Sequence, residues 1–278
     1  MPNGLISIII PTIGRSTEFE SLMHSIKDST YKHYEVIVVD QNHSGILDDI
    51  VLKYHIIMPV LHLKVDFVGA AKARNYGSQF ANGKYLFFPD DDSELFPETL
   101  DQYMNCFKEI SADVIFGKCV DRTLLDSVVK FSNVSGYLSF NHHEGMFIEA
   151  TMFIKKKAFS EFLFDESFGI GTFYGAEEAY DLVLRMLYVN FLIYYTPDIK
   201  IYHPPKVVTH SNKLEIKRAF SYRCGFAHLC AKHKLYKKYY SRLLKVILYI
   251  PYTIVFSHRK TRYYLAELMG LLTGMIIR

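Results

Sequence analysis

The run Tyr85-Leu86-Phe87-Phe88-Pro89-Asp90-Asp91-Asp92 is the feature that most constrains what this chain can fold into. An apolar stretch of strand type stops abruptly at three consecutive carboxylates. One carboxylate buried without a partner is costly, and three side by side repel one another. The acids therefore belong at the open end of a buried strand, where a hard cation can be held. Magnesium and manganese take oxygen ligands, often one or two carboxylates together with the oxygens of a substrate diphosphate. Three aspartates alone could equally form an acidic surface turn, so the surrounding pattern has to decide.

That pattern alternates. Leu5-Ile6-Ser7-Ile8-Ile9-Ile10, closed by Pro11, and Tyr34-Glu35-Val36-Ile37-Val38-Val39-Asp40 both read as strands buried on two faces. Between them Thr17-Glu18-Phe19-Glu20 has capping-box spacing, and Leu22, Met23 and Ile26 follow at helical intervals. A short helix is expected over residues 47–54, a strand near 61–65, and a helix over 69–80 stopped by Gly83. Strands alternating with helices imply right-handed βαβ units and a parallel sheet. Ligands of such sheets bind outside the carboxyl ends of the strands. Asp40 and the three acids all end strands, so they are expected to face one site.

Further along, a helix is expected over 97–110 and another over 177–187, with strands over 113–117, 151–154, 191–196 and 199–203. Residues 121–149 are loop-rich. At 278 residues the chain can build one large domain, or a main domain with an appendage. Half of its residues are apolar, which is high for a soluble domain, and a net charge of +3 is too small to imply nucleic acid. Cys106, Cys119, Cys224 and Cys230 show neither CxxC nor metal-type spacing and read as reduced thiols of a cytosolic protein. Met1-Pro2-Asn3-Gly4 leads straight into a strand and reads without a signal peptide.

Four elements occur in order: Ser7-Ile8-Ile9-Ile10-Pro11-Thr12 with Arg15; Val38-Val39-Asp40; Ala73-Arg74-Asn75 with Gly77 and Gly83; and Asp90-Asp91-Asp92. Each is weak alone, but the ordered set resembles family 2 glycosyltransferases of the GT-A fold, over roughly the first 205 residues. It is similar to the bacterial members that build cell-surface polysaccharides. The resemblance implies an α/β fold with a Rossmann-like, mostly parallel sheet flanked by helices. It also implies a catalytic domain over 1–210, followed by a helical, membrane-associating region over 211–278. The implied reaction is inverting, metal-dependent sugar transfer from a nucleotide diphosphate, UDP-linked by preference, to a growing and lipid-linked surface glycan.

Roles then follow position by position as what the resemblance implies. Pro11, Thr12 and Arg15 lie where the nucleotide sugar binds, and Asp40 would accept a hydrogen bond from a pyrimidine N–H. Its plain alternative is to cap the next helix. Arg74 could reach base or phosphate in bidentate fashion, or form a surface salt bridge. Asp92 matches the direct ligand of Mn²⁺ or Mg²⁺, Asp91 falls near the ribose or a metal-bound water, and Asp90 contacts nucleotide or metal. His203 matches a pyrophosphate or metal contact, with a structural histidine as the alternative. The general base would come from Glu177-Glu178-Ala179-Tyr180-Asp181, which carries one residue more between the acid pair and Asp181 than relatives do. Glu178 is the first candidate, Glu177 the second and Asp181 the third. A solvated acidic first turn would suit the helix dipole equally.

Beyond residue 211 the texture changes. Leu243-Leu244-Lys245-Val246-Ile247-Leu248-Tyr249-Ile250-Pro251-Tyr252-Thr253-Ile254-Val255-Phe256 and the run over 264–277 are strongly apolar, but each is only 14 residues, against roughly 20 needed to span a bilayer. Lys232, Lys234, Lys237, Lys238, Arg242, Arg259, Lys260, Arg262 and Arg278 surround them, with Tyr236, Tyr239, Tyr240, Tyr249 and Tyr252 interleaved. That composition suits an anionic membrane surface, which places the enzyme peripherally on the cytoplasmic face of the plasma membrane. A helical hairpin packed on the protein, or on a second copy as a homo-oligomer, is the alternative. No nucleic-acid motif is present. Two rival functions stand beside sugar transfer: a nucleotidyltransferase, for which Pro11-Thr12-Ile13-Gly14-Arg15 is a poor phosphate loop, and a non-catalytic membrane-associated scaffold.

Overall fold

A computed structural model describes residues 4–210 and 212–276. Two compact units are present. Met1–Phe164 with Leu182–Lys206 make the first, and Asp165–Asp181 with Val207–Arg278 make the second. The segment Asp165–Asp181, which the sequence assigns to the catalytic domain, groups instead with the C-terminal helices.

In the first unit β1 (Ile6–Thr12), β2 (Tyr34–Asp40), β3 (Val60–Lys64) and β4 (Tyr85–Phe87) are parallel, in the order β3-β2-β1-β4. Helices α1 (Thr17–Lys27), α2 (Asp48–His55) and α3 (Ala70–Ser78) make the crossovers. Every residue of β1 is buried, as a strand covered on both faces requires. Register pairs Thr12 with Asp40 and Asp40 with Lys64, so the three strands end level. Ile8 pairs with Phe87, so the 90–92 acids emerge at that same edge. Gly77 of α3 rests on this sheet: a Cβ there would lie 2.6 Å from the Ile9 Cγ2 and 2.9 Å from the Val39 Cγ2. Glycine at this position lets the helix approach the strands that end at the site.

The sheet continues β8-β6-β9-β5, with β5 (Glu94–Leu95), β6 (Val114–Val120), β8 (Met152–Lys155) and β9 (Ile193–Tyr202); β7 (Gly136–Tyr137) pairs with β9. β8 runs antiparallel to both β4 and β6, so the sheet is mixed. Helices α4 (Thr99–Glu109) and α5 (Lys156–Glu161) flank it, and α6 (Glu178–Tyr188) starts in the second unit and ends in the first. The strands expected over 191–196 and 199–203 are one element. Phe116 pairs with Tyr195 but Lys118 pairs with Lys200, so β9 bulges where Pro197 could give no ladder bond. The capping box expected at Thr17 is not formed: Ser16 is the N-cap, and it makes no side-chain cap bond.

The second unit contains α7 (Lys213–Lys232), α8 (Tyr236–Phe256) and α9 (His258–Ile276). Asn212 caps α7 by accepting from the Leu214 N–H at 2.9 Å. Gly270 and Gly274, one turn apart on α9, abut the α7 backbone, where a Cβ would collide with the carbonyl oxygens of Phe220 and Cys224. Buried Glu267 accepts from Arg223 Nε at 2.8 Å and from Arg242 Nη2 at 2.8 and 2.6 Å, tying the three helices together. Pro251 sits inside α8 without ending it. Among the described residues no helix is long and apolar enough to cross a membrane. Ile277 and Arg278 of the tail motif lie outside the described residues. The four cysteines are free thiols, with Cys119, Cys224 and Cys230 buried.

Candidate active site

The triple acid sits at the carboxyl edge of the first unit's sheet, as its strand predicts, and its charge is balanced locally. Arg74, buried on α3, donates from Nη2 to Asp90 Oδ1 at 2.7 Å. This is a buried pair rather than the surface salt bridge that the sequence leaves open. Arg15 bridges Asp91 at 2.5 Å and Asp92 at 3.0 Å, and the Ile13 N–H donates to Asp91 at 3.4 Å. His203, which follows β9, places Nε2 3.4 Å from Asp92 and 3.7 Å from Asp90, with Nδ1 2.9 Å from the Pro204 carbonyl. Three cations thus answer three carboxylates, which is how such a cluster is tolerated in one place.

Their titration follows. Burial pulls the His203 pKa down, but contact with Asp90 and the charges of Asp90 and Asp92 outweigh it and push it up to about 9. Burial also opposes ionisation of Asp90, yet His203 and Arg74 hold its carboxyl below the ordinary range. For Asp91 burial wins over Arg15, and the pKa is raised. Ligand atoms of Asp90, Asp92 and His203 all lie within 4.8 Å of one another. Two carboxylates and one imidazole, which gives up its proton on ligating, fit at that spacing a divalent ion that accepts mixed oxygen and nitrogen donors.

Asp40 is fully buried at the end of β2. Its Oδ1 accepts from the Asn42 N–H at 2.9 Å and from Asn42 Nδ2 at 2.7 Å, and its Oδ2 lies 2.9 Å from His62 Nε2. A carboxylate has about four acceptor positions, and these contacts take three. The fourth can accept an N–H. Thr12, its register partner, is buried beside it, and Pro11 precedes Thr12 in the strand. Next to these strand ends His43, Lys64, Val65, Asp66, Phe67 and Tyr76 line an open depression of about 430 Å³. The sequence offered no signal for His62 or Asn42, because each matters only through its contact with Asp40.

The acid pair lies in the second unit. Glu177 is held at φ +82°, a strained conformation for a residue with a Cβ. Burial raises its pKa against the charges of Arg223 and Lys238, and Glu178 raises it further. Glu178 begins α6, is nearly fully buried, and sets its carboxylate against Gly169, where a Cβ would be 3.1 Å away. Asp181 is fully buried, with Oδ1 2.7 Å from Lys232 Nζ and 2.8 Å from His233 Nε2. The strained turn sends Glu177 and Glu178 to different surroundings, a separation that sequence spacing could not show.

A mixed sheet whose parallel strand ends gather an acid cluster, two arginines and a buried aspartate has the arrangement of a GT-A-type fold. Glycosyl transferase family 2 matches residues 7–163, more than half of the chain, and the chain belongs to that family. The poly(ribitol-phosphate) beta-N-acetylglucosaminyltransferase TarP of Staphylococcus aureus (strain N315) is 30% identical over 117 residues, covering 41% of this chain and 36% of that protein. The putative teichuronic acid biosynthesis glycosyltransferase TuaG of Bacillus subtilis (strain 168) is 30% identical over 114 residues, covering 40% of this chain and 45% of that one. The matches thus span less than half the length of these curated relatives. Among solved structures, S. aureus TarS 1–349 aligns with a TM-score of 0.65 at 16% identity, covering 97% of this chain and 71% of that chain. That likeness carries the fold. Membership of that family favours sugar transfer over the nucleotidyltransferase and scaffold readings.

Proposed function

We propose that this enzyme transfers a sugar from a nucleotide diphosphate, a UDP-sugar, to a growing and lipid-linked cell-surface glycan, with inversion and with a divalent ion. The observation that carries the proposal is the meeting of Asp90, Asp92 and His203 within 4.8 Å, beside Arg15 and Arg74. Relatives add support. TarS was crystallised with UDP-GlcNAc, a structural neighbour from Pyrobaculum calidifontis with GDP-Man and Mn²⁺, and a Campylobacter jejuni relative is named as a GalNAc(5)-diNAcBac-PP-undecaprenol beta-1,3-glucosyltransferase.

In this reading Asp92, Asp90 and His203 would hold Mn²⁺ or Mg²⁺, which when bound supplies positive charge against the diphosphate leaving group. Asp40 uses its remaining acceptor position for a pyrimidine N–H, with the base in the adjoining depression above Lys64 and Val65. Thr12, Pro11 and Asp91 flank the nucleoside. Arg15, whose side chain is 40% exposed, can turn from the acids to the diphosphate, while buried Arg74 keeps Asp90 aimed. Glu178 takes the proton of the attacking hydroxyl, and Glu177, its charge offset by Arg223 and Lys238, fixes the turn.

Calorimetry with UDP, GDP and ADP in the presence of Mn²⁺ checks base recognition. UDP is expected to bind at least ~10-fold more tightly, the worth of about one hydrogen bond to a charged group. Equal affinities, or tighter purine binding, would remove that role from Asp40.

The second unit is read as the membrane contact. Arg242 is spent on Glu267, Lys238 donates to Tyr180 and Lys232 is held by Asp165 and Asp181, so these do not serve lipid. Lys234, Lys237, Lys245, Arg259 and Arg262 are exposed instead. Along α8 Tyr240, Leu244, Leu248, Tyr252 and Val255 form an exposed stripe at helical spacing. Basic residues near anionic lipid contribute roughly 1 kcal/mol each, and the stripe adds burial that salt does not screen. Full-length protein should float with anionic liposomes, less so at high salt, and Leu244→Glu with Leu248→Glu should abolish flotation. A full-length dimer that ignores liposomes would assign the stripe to a self-interface.

A further inference from the structure

We propose that Asp181, gripped by Lys232 and His233, is a positioning residue for the catalytic turn, and that α7 thereby sets where Glu178 points. This rests on the reading of Glu178 as the base. Asp181 lies three residues after Glu178, on the same face of α6. Its carboxylate is fully buried and meets Lys232 Nζ at 2.7 Å and His233 Nε2 at 2.8 Å. Lys232 also reaches Asp165 Oδ2 at 2.6 Å, at the start of the segment that carries Gly169.

Gly169 is the backbone against which the Glu178 carboxylate lies, and α7 fixes that side too. Ser221 Oγ donates to the Phe173 carbonyl at 3.0 Å and accepts from the Gly175 N–H at 3.0 Å. The Tyr174 ring stacks on His228 with centroids 4.1 Å apart and planes 9° apart. Gly169 N–H in turn donates to the Tyr174 carbonyl at 2.9 Å. Ser221, His228 and Lys232 are separated by seven and four residues, which is one face of α7. α7 and its C-cap therefore hold both walls of the Glu178 site: the Gly169 loop through Ser221 and His228 on one helix face, and α6 through Lys232 and the C-cap residue His233.

Energetics point the same way. The buried Asp181 and His233 give up solvation that their attraction only partly returns, and apolar residues of similar size would hold two elements together as well or better. What the charged version adds is direction. Lys232 and His233 converge on one oxygen of Asp181, which fixes the rotation of α6 about its axis and hence the bearing of Glu178.

The test uses full-length enzyme and Mn²⁺-dependent release of UDP from the UDP-sugar turned over fastest, with water as acceptor. Asp181→Asn and His233→Ala should lower kcat by about 10- to 100-fold, the effect of misplacing a reacting group by an ångström, with KM and UDP affinity within about twofold of wild type. His233→Gln keeps a donor for Asp181 and should restore kcat to within about threefold; Lys232→Met, which leaves the His233 contact, should fall between. The proposal is overturned if Asp181→Asn and His233→Ala keep wild-type kcat. It is also overturned if kcat, KM, UDP affinity and melting temperature all deteriorate together and His233→Gln gives no rescue. Glu178→Gln is run alongside: normal turnover in that variant sinks the base reading itself, whereas an inactive Glu178→Gln beside fully active Asp181 and His233 variants sinks only the positioning role.

Discussion

Asp92→Asn is expected to lower UDP release by at least ~10³-fold, because a metal-held leaving group draws several kcal/mol of charge stabilisation from the ion. UDP affinity in the variant should also lose its dependence on Mn²⁺. The fold should survive. Arg15 keeps its bond to Asp91 and Arg74 keeps Asp90, so the strand end retains two of its ion pairs. Asp49→Asn, at an exposed position on α2, serves as the charge control and should be silent. Near-normal turnover for Asp92→Asn would take Asp92 out of the metal site.

Glu178→Gln is the second large effect. A lost general base costs about 10²- to 10⁴-fold in rate, and donor affinity should be unaffected. Glu177→Gln should be milder on rate, because the charges of Arg223 and Lys238 already offset that of its carboxylate, but it should lower the melting temperature through the strained turn. The reverse ranking on rate would move the base to Glu177. Two mild effects would leave the pair without a catalytic role.

The two variants interrogate different levels of legibility. The triple acid could be marked from the sequence because its signal is local: an apolar strand that ends in carboxylates has few places to go, while Asp92 within it was singled out by the resemblance. Asp40 was equally visible, ending a two-face-buried run. Arg74 was marked as a nucleotide contact, yet its burial and its bond to Asp90 became visible only when α3 lay on the sheet. For β9 local reading misled. Two strands were expected over 191–196 and 199–203, but pairing with β6 carries one strand past Pro197 through a bulge.

The basic tail shows the same limit in another form. Lys232, Lys238 and Arg242 are indistinguishable in sequence from Lys234 and Lys245, since all are cations scattered among apolar residues. Packing sorts them. The first three turn to Asp181, Tyr180 and Glu267, and the other two stay exposed.

What the sequence determined by itself was whatever rests on periodicity and on the cost of burying charge. That covers the alternating parallel half of the sheet, the strand-end aspartates, the resemblance carried by their order, and apolar tail runs too short to span a membrane. What only the tertiary structure decided were the partnerships between distant segments. His62 on Asp40, Arg15 across Asp91 and Asp92, His203 between Asp90 and Asp92, and Lys232 with His233 on Asp181 join residues from 22 to 113 positions apart. No local propensity encodes such a contact, because a side chain's partner is set by which strands and helices the whole core brings level.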